Sequence, residues 1–173
     1  TLGKLGSVDA IGGAFTVALC AGFTVFWMTR LKLPVSTSQA IIGAIIGWNF
    51  YSGNATDMTV LGKIVSTWIA GPILGAIFAI LLYKLLKFFL TKSKIHLIKL
   101  DAYLKYALLI IGAFGAFSLG ANNVANVVGV FIPSVPDIQL DFGFFIFDGV
   151  QLLFLIGGIS IAIGIITYSK KVM

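Results

Sequence analysis

Charged side chains are scarce in this sequence, and glutamate is missing altogether. Only 10% of the 173 residues are charged, whereas soluble domains carry roughly 25%. All six acidic residues are aspartate. Water-exposed helix faces normally recruit glutamate because it favours helix, so little helix surface here is expected to face water. This scarcity excludes an ordinary soluble domain.

The sequence is equally poor in residues that disulfides, metal clusters and enzyme active sites need. Cys20 is the only cysteine and His96 the only histidine, which argues against a disulfide framework and a cysteine–histidine metal cluster. The pattern also predicts no buried pair of carboxylates that could act as acid and base. We therefore predict that the protein is not an enzyme and carries no cofactor.

Long apolar runs dominate instead. Hydrophobic residues make up 59% of the sequence, and the mean hydropathy is +1.07. A helix needs about 20 apolar residues to cross a bilayer, and four runs suit this: Ala10–Met28, Val60–Tyr83, Tyr106–Ile132 and Phe144–Thr167. A fifth run, Ser36–Asn49, spans only about 21 Å as a helix, so a full crossing and a re-entrant arm both stay open. We predict an all-α membrane protein, a polytopic helix bundle.

The positive charges follow the pattern of membrane topology. The net charge is +6, but the lysines lie between apolar runs, so we expect no nucleic acid partner. The most basic segment is Lys84–Lys105. Placing it in the cytoplasm puts every lysine and arginine except Lys4 and Lys63 on that side, as the positive-inside rule predicts for a multi-pass cell-membrane protein. Binding of lipid headgroups by these lysines is the alternative.

An asparagine-rich segment follows the apolar run that ends at Phe117. Asn122, Asn123 and Asn126 fall within five residues, and burying an amide without a partner costs about 2–7 kcal/mol. If the segment is helical, Ser118, Asn122 and Asn126 share one face, with Asn123 beside them. Two interpretations stay open: the amides bind a polar solute, or they hold two helices together.

A hydroxyl-rich segment precedes the short apolar run. Pro34 disfavours helix at Leu33, so a helix is expected to begin just after it. Ser36, Thr37 and Ser38 then lie at the cap or first turn, where free backbone N–H groups and hydroxyls can bind an anion. The alternative is an ordinary N-cap.

Two further features of the sequence have a structural interpretation, and for the second a binding role also stays open. A face of small residues recurs every fourth position in the first run and predicts close helix packing; it comprises Gly12, Thr16, Cys20 and Thr24. Asp148, near the start of the last run, suits either an ion ligand or an interfacial residue beside an acidic loop.

Together the two polar segments resemble the signatures of the inorganic phosphate transporter family. Pro34–Ser38 with Ala40–Gly43 is similar to its hydroxyl motif, and Gly120–Asn126 to its asparagine motif. The resemblance implies an inverted-repeat symporter with broken or re-entrant helices, whose motifs meet near the membrane midplane. The implied substrate-binding residues are Ser36, Thr37, Ser38, Asn122 and Asn123, and the implied coupling-ion ligands are Asn122, Asn123 and Asn126.

The sequence departs from the family at two positions. Asn123 stands where the family usually has aspartate, and Gln39 where a histidine often follows the hydroxyl pair. Loss of the carboxylate removes a charged cation ligand and eases the approach of a dianion. Because the asparagine form is similar to the related sulfate permeases, sulfate stays open as the substrate.

Only one copy of each motif is present, whereas the family carries two. We therefore expect the chain to be the central portion of a longer transporter, holding half of the substrate site. Residues 1–83 would end the first repeat, residues 84–105 form the cytoplasmic loop, and residues 106–173 begin the second repeat. We expect these 173 residues alone neither to transport phosphate nor to bind it tightly.

The resulting prediction is secondary active transport of inorganic phosphate, with sodium as the coupling ion and protons as the alternative. A sulfate permease and a non-transporting structural membrane subunit are the competing functions. Expected partners are phosphate or sulfate, the coupling ion, the lipid bilayer and the remainder of the same transporter; a homodimer stays open. Apart from sodium, no metal is expected.

Overall fold

Helices account for most of the computed structural model, which describes Leu5, Val8 and residues 11–92, 96–141 and 146–172. The five α-helices are α1 (Ile11–Arg30), α2 (Thr37–Ser52), α3 (Met58–Lys92), α4 (Leu97–Val128) and α5 (Gly149–Val172). A 3₁₀ turn (Ile132–Ser134) and two short strands, β1 (Gln139–Asp141) and β2 (Ile146–Asp148), join α4 to α5.

The all-α membrane class is confirmed. Four helices are long and apolar enough to cross a bilayer: α1, α3, α4 and α5. α2 has 16 residues, about 24 Å of helix, which is shorter than the roughly 30 Å of hydrocarbon in a bilayer. The chain is therefore a multi-pass membrane protein with one short additional helix.

The basic segment is more helical than the sequence pattern predicted. We expected a loop over Lys84–Lys105, but α3 continues to Lys92 and α4 already begins at Leu97. Leucine and lysine are good helix formers, and no proline or glycine interrupts either side of the connection. The helices therefore run on past the apolar runs into the lysine-rich ends.

Two compact units make up the chain, one of residues 1–58 with 118–173 and one of residues 59–117. The first unit contains α1, α2, the end of α4 and α5. Its buried apolar residues lie mainly on α1 and α2: Ala14, Val17, Ala21, Ile41, Ile42 and Ile45. The second unit holds most of α3 and the first part of α4, and α3 has no buried residue.

α1 and α2 pack closely through Gly13, where a Cβ atom would lie 2.7 Å from the ring of Trp48. The predicted small-residue face is not the packed one. Gly12, Thr16 and Cys20 are exposed and line the rim of a 750 Å³ groove between the helices. The Thr16 hydroxyl donates to the Gly12 carbonyl of its own helix, at 2.8 Å. The face of α1 that packs lies one residue further along the helix, because it carries the large apolar side chain of Val17 together with Gly13, and both residues are buried.

The C-terminal end of α2 is fixed by a buried asparagine. Asn49 is 1% exposed, and its Nδ2 donates to Thr56 Oγ1 at 2.9 Å and to the Leu5 carbonyl at 3.3 Å. Gly53 ends the helix in the left-handed region, at φ 72°, and its N–H donates to the Asn49 carbonyl. These bonds hold the chain on either side of α2 to the helix end.

The link between α4 and α5 departs from the predicted loop. β1 and β2 pair antiparallel, with Gln139 opposite Asp148. The last helix was predicted from Phe144, but residues 142–145 lie outside the described part, and α5 begins at Gly149. Asp148 precedes the helix, and its backbone N–H donates to Gln151 Oε1 at 3.2 Å, as in the return contact of a capping box. Asp148 therefore starts the helix rather than lying inside an apolar run.

Candidate functional site

The hydroxyl segment begins α2 as predicted. Ser36 has extended backbone (φ −102°, ψ 120°), and its Oγ accepts from the Gln39 N–H at 3.3 Å. Its carbonyl accepts from the Ala40 N–H at 3.0 Å. Ser36 is thus an N-cap, the structural alternative proposed for it. The backbone N–H groups of Thr37 and Ser38, in the first turn, have no acceptor within their own helix.

The structure brings this first turn to the asparagine segment. The Thr37 hydroxyl donates to Asn123 Oδ1 at 2.8 Å, and Asn126 Nδ2 donates to Ser38 Oγ at 2.6 Å. Asn123 and Asn126 are three residues apart on α4, so both face the same neighbour. All four side chains are partly buried. Two segments more than 80 residues apart in sequence therefore form one polar cluster.

α5 supports the opposite side of the asparagine-bearing helix end. A Cβ atom at Gly157 would lie 2.8 Å from Val128 Cγ2 and 3.2 Å from Val124 Cγ1. Because Val124 and Val128 are four residues apart, they form one face of α4, roughly opposite the face that carries Asn123 and Asn126. The absence of a side chain at Gly157 lets α5 approach closely. The amides are thus presented by a helix end that contacts both α2 and α5.

The cluster is neutral and rich in hydrogen-bond donors. The inter-helix bond of Asn123 uses only its Oδ1 atom. Its Nδ2 group makes no hydrogen bond within the part of the chain that the structure describes, so it is available to donate. Ser38 accepts through Oγ and keeps its own O–H to donate. The free N–H groups of the first turn lie in the same segment. Several neutral donors beside a helix N-terminus suit an oxyanion.

Other predicted site residues lie outside this contact. Asn122 and Ser36 are exposed, as is Ser118, one turn before Asn122 on α4. Ser36 has the capping role described above, and no hydrogen bond of the Asn122 side chain occurs among the described residues. α4 is helical through Gly120 and ends at Val128, just before Gly129. The structure thus unites Thr37, Ser38, Asn123 and Asn126, and leaves Asn122 beside them.

Sequence reasoning missed two positions that organise this unit. Asn49 is the one buried polar residue in the described ranges, and its signal was a lone amide at the end of an apolar run. Gly157 lets α5 approach α4 closely because it has no side chain, and a glycine in a membrane helix does not by itself show whether another helix approaches it. Both act by holding helices in place rather than by offering a group to a ligand.

Comparison with known proteins gives a consistent assignment. Residues 6–104 match the phosphate transporter family. A phosphate permease of Methanocaldococcus jannaschii, whose name marks it as inferred, is 30% identical over 92% of this chain and 46% of its own length. A sulfate permease of Bacillus subtilis is 33% identical over 88% of this chain and 39% of its own length.

A shorter match comes from a eukaryote. A sodium-dependent phosphate transporter of Toxoplasma gondii is 40% identical over 35% of this chain and 7% of its own length. The chain spans about half, or less, of the length of the relatives that it matches along most of its sequence. No solved structure matches it.

Proposed function

The chain belongs to the phosphate transporter family, and from this premise we propose that it forms part of a secondary transporter that carries inorganic phosphate across the cell membrane. The observation that supports this most is the meeting of Thr37 and Ser38 with Asn123 and Asn126 through hydrogen bonds of 2.8 and 2.6 Å. It joins neutral donors from two helices at one place in a membrane protein. The lysine distribution supports a cytoplasmic position for the basic helix ends.

Phosphate binds by taking over donors that the protein uses internally. The Thr37 hydroxyl turns from Asn123 Oδ1 to a phosphate oxygen, and the amide nitrogen of Asn123 supplies a second donor. Ser38 and the free N–H groups of the first turn supply further ones. Because these groups carry no net charge, they replace the water around a dianion without forming an ion pair that release would have to break.

The coupling cation is held on the acceptor side of the same cluster. Asn126 uses its nitrogen to bond Ser38, so its carbonyl oxygen is oriented away from that bond and suits a cation. Asn122, one turn earlier, and Asn123 add amide oxygens in the same segment. We take sodium as the ion because the Toxoplasma gondii relative is named a sodium-dependent transporter. A bound cation offsets the phosphate charge, which couples the two.

This site needs further groups to be complete. The family resemblance implies two pairs of motifs, and this chain supplies one of each. The second pair comes from a further segment of the transporter or from a second copy. On its own, the chain is therefore expected to bind phosphate weakly, which equilibrium binding of radiolabelled phosphate to the purified chain would test.

The decisive experiment replaces Thr37 by valine in the complete transporter. Thr37→Val keeps the side-chain shape but removes the donor, and losing a hydrogen bond to a charged group costs about 1.5–3 kcal/mol. Phosphate affinity should therefore fall roughly ten- to hundredfold. Labelled phosphate uptake into cells that lack their own transporter, with and without a sodium gradient, measures this.

Thr67→Val is the matched control. Thr67 lies on α3 and donates to the Ile64 carbonyl of its own helix at 2.7 Å, so its removal should leave uptake unchanged. Equal uptake by the Thr37 variant, at equal surface expression, would contradict the proposed site. Loss of assembly in the Thr37 variant, with no uptake defect in the protein that does assemble, would instead support a structural subunit.

Sulfate is the second candidate substrate. Asn123 favours it, because an amide does not repel a fully ionised anion as an aspartate would. A sulfate permease is also among the relatives. Adding excess unlabelled sulfate to the labelled-phosphate uptake assay separates the two: a phosphate transporter keeps its phosphate uptake, whereas a sulfate permease loses it.

A further inference from the structure

Two helix ends extend beyond the length that a bilayer needs. Lys63 and Lys84 bracket a charge-free stretch of α3 of about 20 residues, which rises about 30 Å and matches the hydrocarbon core. The remaining residues of α3, 84–92, add about 13 Å. In α4 the charge-free stretch starts after Lys105, so residues 97–105 form an equal extension. Only four residues connect the helices, so both extensions lie on the same side of the membrane.

The α3 extension is amphipathic. At 100° per residue, its three lysines and Thr91 fall within an arc of about 140°, which Phe88 shares. Its polar residues are Lys84, Lys87, Thr91 and Lys92, and the opposite arc carries Leu85, Leu86, Phe89 and Leu90. The α4 extension adds Lys99 and Lys105, with Asp101 as its one acidic residue. Positive charge and large apolar groups therefore occur together at this end of the helices.

Neither water nor hydrocarbon alone suits such a surface. Phe89 is 59% exposed and Leu86 is 58% exposed, and leaving large apolar side chains in water forfeits about 1.5–3 kcal/mol each. The lysines, in turn, cannot enter hydrocarbon without a large penalty. The headgroup layer, about 5–8 Å thick on each side, lies at the depth of these extensions and offers both environments.

We propose that the lysine-bearing extensions of α3 and α4 bind the headgroups of anionic phospholipids. Lys84 and Lys87, one turn apart, contact lipid phosphates at the start of the headgroup layer, while Leu85, Leu86 and Phe89 pack against the upper acyl chains. Lys92 lies at the outer edge, with its Nζ 4.5 Å from the centroid of the Phe88 ring. A free phosphate ion would meet the lysines but not the apolar arc, so the lipid is the ligand that fits the whole surface.

The test compares lipid retention by the purified 173-residue chain and by the triple variant Lys84→Gln, Lys87→Gln, Lys92→Gln. Native mass spectrometry from micelles that contain equal phosphatidylglycerol and phosphatidylcholine measures which lipids stay bound. Each lysine near a headgroup strengthens anionic binding roughly fivefold. We expect the preference for phosphatidylglycerol to fall by more than tenfold in the triple variant. In micelles, a changed membrane orientation cannot produce this result.

The matched control is the triple lysine-to-arginine variant at the same positions, which keeps the charge and should keep the preference. Added inorganic phosphate should not displace phosphatidylglycerol. Rising salt should weaken the preference in the unmodified chain, a measurement that holds even if the glutamine variant does not fold. An unchanged preference in a folded glutamine variant, displacement by free phosphate, or a dimer that covers the surface and excludes lipid would each overturn the proposal.

Discussion

The α1–α2 pair and α3 are built from similar residues but pack differently. In the pair, Gly13 brings two helices so close that a Cβ atom there would lie 2.7 Å from Trp48. In α3, Gly71 and Gly75 have no non-local heavy atom within 4 Å of such a Cβ, and α3 has no buried residue. Small residues in a membrane helix therefore show where close approach is allowed. They do not show whether a partner helix makes use of it.

Hydroxyl groups in the two regions differ in the same way. Ser66 and Thr67, inside α3, donate to carbonyls of their own helix at 2.8 and 2.7 Å. Thr37 and Ser38, in the first turn of α2, exchange hydrogen bonds with α4. A residue in the first turn has no preceding helical carbonyl three or four positions back, so its hydroxyl is available to another element. Position within the helix thus separates a hydroxyl that bonds to its own helix from one that can bond to another helix.

The largest effect is expected where the first unit buries a polar group. In Asn49→Asp, the carboxylate cannot donate to the Leu5 carbonyl and would place a charge at a site that is 1% exposed. We expect a loss of about 3 kcal/mol or more in the free energy of unfolding. Asn54→Asp, at an exposed position after the same helix, should change little. Unfolding in detergent, followed by circular dichroism, measures both; equal stability of the two variants would contradict the anchoring role.

A smaller effect should separate the glycines of the two regions. Gly13→Ala forces the Trp48 ring to move, and overpacking of this kind costs about 1–3 kcal/mol. Gly75→Ala meets open space and should be neutral or stabilising by up to about 1 kcal/mol, because alanine favours helix. Thermal unfolding of the two variants in the same detergent gives the comparison. Destabilisation of similar size at both positions would show that α3 is packed as closely as α1.

The smallest effect concerns matched serines. Ser38→Ala leaves the Asn126 amide without its 2.6 Å partner and should cost about 1 kcal/mol. Ser66→Ala removes a hydroxyl that bonds only within its own helix and should stay within about 0.5 kcal/mol. Chemical unfolding with several replicates can resolve this difference. If Ser66→Ala costs as much as Ser38→Ala, the inter-helix bond contributes no more than a hydroxyl bond within one helix.

Much of the fold could be predicted because hydropathy and helix signals are local. The long apolar runs located the membrane helices, and Pro34 with Ser36 located the start of α2. The helical continuation into the lysine-rich ends was missed, since charge alone was taken to end a helix. The strands before α5 were missed too, because three-residue strands depend on pairing with each other rather than on their own sequence.

The candidate site was predicted in part. Asn123 and Asn126 were recognised as a cluster that needs a partner, and Thr37 and Ser38 as donors at a helix start. Nothing local distinguished them from Asn122 and Ser36, which have the same residue types but do not take part in the inter-helix contact. That difference depends on how α2 and the end of α4 are rotated about their axes. Rotation is set by packing at distant positions such as Gly157.

The sequence by itself determined that the protein lies in a membrane, which apolar runs form its helices, where α2 begins, and which two segments carry polar groups that need partners. These follow from transfer free energies and backbone geometry, which act on each segment separately. Only the tertiary structure decided that Thr37 meets Asn123 and Ser38 meets Asn126, and that Gly13 rather than Gly12 lies under Trp48. A helix turns by 100° per residue, so the partner of each side chain is fixed by contacts between helices and not by either helix alone.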